Sequence, residues 1–264
     1  MKNTLEILQY MESLFSNYLK LLSHFDKERF LNDKNYSIVQ FFDKWGLERA
    51  GNPKMLKIAD IKFLSLYLDE FQDEDLKKTF IEKYKTIAGT ENINEKVNPL
   101  MDEKILIFNP QETVQLIQNK KIKDAFDSIQ LKGLGHKIKS FFLRDMTLLY
   151  LDNTDFTIEE LLYLFPIDVW IKEFISGLKI EPMEEYPREK QYDNLKKEDR
   201  ELGFDFIHYC INNNLDIRKL DAGIWFYCAR VVGSKERLKY LLNQDSANIL
   251  KEEYQLRFKY CPDM

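Results

Sequence analysis

Gly133 and Gly135 stand one residue apart in the run Leu131-Lys132-Gly133-Leu134-Gly135-His136-Lys137. The run joins two stretches of helical period, roughly Lys121–Gln130 and Lys137–Tyr150. A chain reversing between two helices over so few residues has little choice of backbone path. Glycines admit conformations closed to other residues, and they let the main chain approach a neighbour or ligand closely. The amides opening the helix near His136 point outward with the helix dipole behind them, which makes a sequence-independent site for an anion. Lys132, Lys137, Lys139 and Arg144 add positive charge nearby.

Helical period runs through most of the chain. Leu5, Leu8, Met11, Phe15, Tyr18, Leu19 and Leu22 share one broad stripe and predict an amphipathic first helix. Tyr36–Trp45, Ala59–Phe71 and Asp73–Tyr84 read as further helices, and the polar, turn-forming segment Ala88–Pro99 as the linker. Asn109-Pro110-Gln111-Glu112 supplies an N-cap, a proline at the first helical position and a glutamate at the third, and Thr157 with Glu160 repeats the capping logic. Glu181–Glu201 is charge-dense and reads as an exposed loop. Phe204–Asn212 and Asp221–Val232 follow as helices, with Ser234 capping a last one through Leu242. Ile105–Phe108 alone could pass for a strand, so an all-α chain is expected.

With 264 residues, 44% hydrophobic and 31% charged, the chain can bury a sizeable core as a globular protein. Its net charge of −5 weighs against a nucleic-acid partner, whose phosphates call for lysine and arginine. Net charge sums the whole surface, however, and 39 basic residues can furnish one basic face. Cys210, Cys228 and Cys261 are too few and too widely spaced for a disulfide framework, a tetrahedral zinc site or a four-cysteine cluster. No metal site is expected. The start MKNTLEILQYMESLF lacks the apolar core of a signal peptide, and no stretch is long and uncharged enough to span a bilayer, so a cytoplasmic protein without a membrane partner is expected.

The pattern apolar-Lys-Gly-Leu-Gly-His-Lys, followed by a helix that reads as amphipathic, resembles the helix-hairpin-helix motif of the endonuclease III-like DNA glycosylase superfamily. In its bifunctional members the hairpin's second glycine is followed, after one residue, by the nucleophilic lysine, and Gly135-His136-Lys137 matches that order. Those members also carry an aspartate in an apolar-Pro-apolar-Asp setting downstream, which Phe165-Pro166-Ile167-Asp168-Val169-Trp170 matches. The resemblance is specific over Leu131–Asp145 and Leu164–Ile171. It implies two helical lobes with a cleft between them: a single glycosylase-like unit over 1–264, with a hairpin-bearing lobe at 109–178 and flanking helices at 1–100 and 204–264. Lys137 and Asp168 lie 31 positions apart, so an extra helical element, Thr157–Leu164, must fit between them. That spacing and the shortage of cysteines are closer to the archaeal 8-oxoguanine glycosylases than to the iron–sulfur branch.

The resemblance implies Lys137 and Asp168 as catalytic residues, and Lys132, Gly133, Leu134, Gly135, His136 and Lys139 as contacts to DNA. A lysine attacks C1′ only when neutral, and a partly desolvated cleft with Lys139 nearby would lower the Lys137 pKa. Asp168 would take a proton from the amine or stabilise the cationic sugar. Phe141, Phe142, Trp45, Trp170 and Trp225 are available to hold an extruded base, although core packing is the default for each. Taken singly, Lys137 reads as an exposed helix-start lysine, Asp168 as an N-cap, and His24 and His208 as packing histidines.

The implied partner is duplex DNA with a damaged base or abasic site, bound by a monomer. 8-Oxoguanine is the preferred substrate, with oxidised pyrimidines, uracil and alkylated bases left open. No organic cofactor or iron–sulfur cluster is implied, and a monovalent cation on hairpin carbonyls would fit the family. The other reading is a helix-hairpin-helix module that grips DNA without chemistry.

Overall fold

A computed structural model of the chain describes residues 2–22, 25–41, 44–45, 109–130, 135–151, 155–186 and 195–260. Among these, regular structure is entirely helical and no strand occurs, so the fold class is all-α. The stretches expected at Ala59–Phe71, Asp73–Tyr84, Ala88–Pro99 and Ile105–Phe108 lie outside the described residues, as does His24. The chain divides into two units, residues 24–151 and residues 1–23 with 152–264. Lys137 belongs to the first and Asp168 to the second.

The N-terminal stripe folds as two helices, α1 (Lys2–Ser13) and α2 (Phe15–Lys20), where the sequence predicts one. The break falls at Leu14, whose amide turns to the Met11 carbonyl three residues back at 3.0 Å. That carbonyl also meets a later helix at Gly223.

Among the described residues of the unit 24–151, short helices pack around a long buried one. Asp26 caps α3 (Lys27–Asn32) by accepting from Arg29 N–H at 2.9 Å, and α4 (Lys34–Phe41) follows. α5 (Pro110–Gln118) starts where the sequence places it: Asn109 Oδ1 accepts from the amides of Gln111 and Glu112, with Pro110 in the first turn. α6 (Ile122–Ser128) and α7 (His136–Tyr150) are the other helices among the described residues of the unit, with α5 packed against α3, α4, α6 and α7. Phe25, Phe30, Phe41, Trp45 and Phe142 form one aromatic cluster, with Trp45 and Phe142 edge to face at 5.0 Å between ring centres.

α7 departs from the amphipathic expectation. Every residue from Ser140 to Thr147 is buried, Arg144 and Asp145 completely. A helix buried all round must satisfy its polar groups internally. Arg144 donates through Nε and Nη2 to Asp145 Oδ1 at 3.0 and 2.7 Å, and Trp45 Nε1–H donates to Asp145 Oδ2 at 2.8 Å. Thr147 Oγ1–H donates to the Arg144 carbonyl at 2.7 Å. Arg144 is thus a core residue rather than part of a basic surface.

In the other unit, α8 (Ile158–Tyr163) carries the predicted capping box: Glu160 N–H donates to Thr157 Oγ1 at 3.2 Å and Thr157 N–H to Glu160 Oε2 at 2.8 Å. Thr157→Ala is expected to lower stability by about 1 kcal/mol, read as an earlier urea midpoint at unchanged slope. α9 (Val169–Ser176) and α10 (Lys197–Asn212) follow. α10 starts seven residues before the expected Phe204, because Glu198 and Asp199 in its first turn complement the helix dipole. Asp205 Oδ1 on α10 accepts from Met183 N–H and Tyr186 O–H at 2.8 Å each, tying the preceding loop down. His208 is exposed on α10 and not packed as expected; its Nε2 lies 3.2 Å from Asn212 Nδ2.

α11 (Ile217–Phe226) runs on as a π-helical stretch, Tyr227–Val232, which ends at left-handed Gly233. Ser234 caps α12 (Lys235–Asn243) as expected, and one further helix that the sequence reading did not contain, α13 (Ala247–Tyr260), completes the unit. α11 packs along α1 and α2, and α13 against α1.

Candidate functional site

The candidate site is built from the residues that open α7. Gly135 is its N-cap, exposed, with extended backbone and nothing within 4 Å of where a β-carbon would sit. A glycine brings no side chain to the first-turn amides, and no acidic residue occupies that turn. Basic residues stand there instead, against the positive end of a 15-residue helix. Lys137 is the second residue of α7 and half-buried.

His136 and Lys139 serve the joint between α6 and α7. The His136 ring is buried, lies 5.2 Å from the Phe126 ring and has Nδ1 3.2 Å from Ser140 Oγ. Lys139 reaches back to the end of α6: its Nζ donates to the Phe126 carbonyl at 3.5 Å and sits 4.8 Å above that ring. A cation at a helix C-terminus and on an aromatic face is held by two weak attractions. Burial pushes the Lys139 pKa down, and Asp127 partly restores it. Lys132, Gly133 and Leu134 lie outside the described residues.

Asp168 caps α9. Its Oδ1 accepts from Trp170 N–H at 2.8 Å and Ile171 N–H at 2.9 Å, and the side chain is 8% exposed. The arrangement follows from Pro166, which bars helix just before it, and from the short carboxylate that suits an N-cap. Cys228 has its thiol pushed well up, first by burial and then by the charges of Asp168 and Asp221. Of the aromatics considered for an extruded base, Trp45, Phe141, Phe142 and Trp225 are core residues, whereas Trp170 is partly exposed.

The chain matches no known protein family, no curated protein and no solved structure.

Further chemistry-bearing groups offer less. Among the described residues no three His, Cys, Asp or Glu side chains are grouped to hold a metal ion, and no described helix is long and apolar enough to cross a membrane. Cys210 and Cys228 are buried free thiols; Cys261 lies outside the described residues. A surface cleft beside Arg218 has its guanidinium taken up by Asp216, at 3.0 and 3.1 Å, and set over Phe156. The sequence reading named Lys132, Lys137 and Lys139 but passed over Lys120, Lys121 and Lys123, which extend the same charge pattern. Between Asn119 and Leu143 stand six lysines and two aspartates, in a chain of net charge −5. The signal was legible as Asn119-Lys120-Lys121-Ile122-Lys123.

Proposed function

We propose that this chain is a DNA base-excision glycosylase with AP lyase activity, built on a two-lobed helix-hairpin-helix fold, with Lys137 as nucleophile and Asp168 as its acidic partner. One observation carries the reading. A half-buried lysine stands on the first turn of a long helix that opens at a bare glycine, where an acid would be favoured and a cation is not. The helix dipole does not call for a lysine there, and a nucleophilic role does. The local excess of lysines supports a polyanionic partner.

The chemistry balances without a resident metal or organic cofactor. The neutral Lys137 amine attacks C1′, and the C1′–N bond to the damaged base breaks, the base leaving with the electron pair and gaining a proton. The amine's nitrogen loses a proton, the C1′–O4′ bond breaks with O4′ keeping the electron pair and taking up a proton, and an iminium is left at C1′. Loss of a C2′ proton then expels the 3′ phosphate, which nicks the strand. Asp168 is the acidic group that would accept the amine's proton or stabilise the cationic sugar. An oxidised purine such as 8-oxoguanine is the proposed base, turned out of the stack, and of the candidate aromatics Trp170 is the partly exposed one.

The cap geometry of Asp168 favours a second reading, a hairpin that binds duplex DNA and does no chemistry, because its carboxylate already has a structural task. Nicking of a duplex with one abasic site separates the two. On the enzyme reading, Lys137→Gln slows nicking at least about 1,000-fold. Asp168→Asn, which still caps a helix, slows it about 100-fold while stability stays within about 0.5 kcal/mol. Duplex binding without nicking by the unmodified chain would support the second reading.

A further inference from the structure

Four of the described residues have left-handed backbone: Gly233, Asn214, Asp245 and Lys120. Glycine takes that conformation freely, and Asn and Asp tolerate it through short polar side chains that bond locally. Lys120, at φ 57°, has neither property.

It closes α5 with a two-bond helix stop. Lys120 N–H donates to the Ile117 carbonyl at 2.8 Å and Lys121 N–H to the Leu116 carbonyl at 2.9 Å. Glycine is the usual residue in that position. Asn214 closes α10 with the same pair of bonds, to Ile211 and Cys210, using a residue suited to it. A lysine near a helix end does complement the dipole, but Gln118 or Asn119, one or two residues earlier, offers that benefit with right-handed or near-helical backbone. The strained position is therefore not explained by the helix it ends.

The turn presents two lysines to solvent. Lys120 and Lys121 are both exposed, and neither forms an ion pair with a described carboxylate, whereas Lys123 next to them is paired with Asp127. They belong to the lysine-rich segment noted above, and α6 lies between them and Gly135, the N-cap of α7. Seven residues of helix rise roughly 10 Å, about three nucleotide steps along a duplex.

We propose that the Lys120–Lys121 turn is a second grip on DNA, binding backbone phosphates of the duplex that the Gly133–Gly135 hairpin engages. The proposal rests on the DNA reading above and adds a contact that the hairpin does not supply. Phosphate fits because the turn offers two exposed cations that no described carboxylate pairs, and no group that reads a base.

Fluorescence anisotropy on a labelled duplex carrying a stable abasic analogue, measured across a range of salt, tests it. Each lost phosphate contact lowers the slope of log K against log salt by about 0.9. Lys120→Gln with Lys121→Gln is expected to reduce the slope by about 2, and Lys120→Gly alone by about 1. Lys120→Gly also relieves the left-handed strain, so its Tm should rise while its DNA binding falls, which rules out misfolding as the cause. Unchanged slopes in both variants, with the unmodified chain binding DNA, would overturn the second grip and leave the DNA reading standing. An unmodified chain that binds no DNA even at low salt overturns both.

Discussion

Asp145→Ala should be among the most damaging single changes in the unit of residues 24–151, lowering its stability by about 3–5 kcal/mol. The carboxylate it removes takes two hydrogen bonds from the Arg144 guanidinium and one from the Trp45 indole, and both side chains are completely buried. Without it a cation stays in the core lacking its main charge partner, and the indole N–H loses its acceptor. A loss of that size is a third or more of the stability of many domains. The sign should soften when both charges go: Arg144→Met with Asp145→Leu removes the stranded cation and is expected to cost less than Asp145→Ala alone. Urea unfolding of the three proteins measures this. A single variant within 1 kcal/mol of the parent, or a double variant worse than the single, would contradict the account of the core.

The second large effect is expected at Gly223, where helix propensity and packing have opposite signs. On an exposed helix, glycine to alanine gains about 1 kcal/mol. At Gly223 a β-carbon would stand 1.9 Å from the Met11 carbonyl oxygen and 2.9 Å from its carbon, which are backbone atoms that no side-chain rotation can move. α1 and α11 would have to part along their shared seam. Gly223→Ala is therefore expected to destabilise by about 3 kcal/mol. Gly203→Ala should cost less, because its β-carbon meets the tips of the Leu162 and Ile167 side chains at 2.8 and 2.9 Å. Thermal unfolding of the pair checks the order. A Tm for Gly223→Ala at or above the parent's would show that the seam is looser than the geometry requires.

What could be read in the sequence was local chemistry. The caps at Asn109, Thr157 and Ser234 are short polar side chains three residues from an amide, and they fall where the pattern puts them. Asp168 reads as an N-cap in sequence and is one. Properties set by distant neighbours were not legible. Arg144 looks cationic and exposed until Asp145 and Trp45 enclose it, and Lys139 looks solvent-facing until the end of α6 takes its amine. α13 was missed because its buried stripe is narrow: Ala247, Leu250 and then Glu253, a carboxylate held between Arg237 and Arg257 where periodicity calls for an apolar residue. The break at Leu14 falls beside the Met11 carbonyl, which lies against Gly223, more than 200 residues away in the chain.

For the site, sequence order placed Lys137 two residues after Gly135, and the structure places it on the first turn of α7. Lys120 was passed over because an unusual backbone conformation has no signature in a run of lysines.

Borohydride reduction of the protein on duplex DNA with a single abasic site tests the central claim most directly, since it captures the iminium as a stable amine. The account predicts a covalent protein–DNA adduct that survives denaturing electrophoresis and disappears in Lys137→Gln. No adduct from the folded, unmodified chain, or one undiminished in Lys137→Gln, would contradict it.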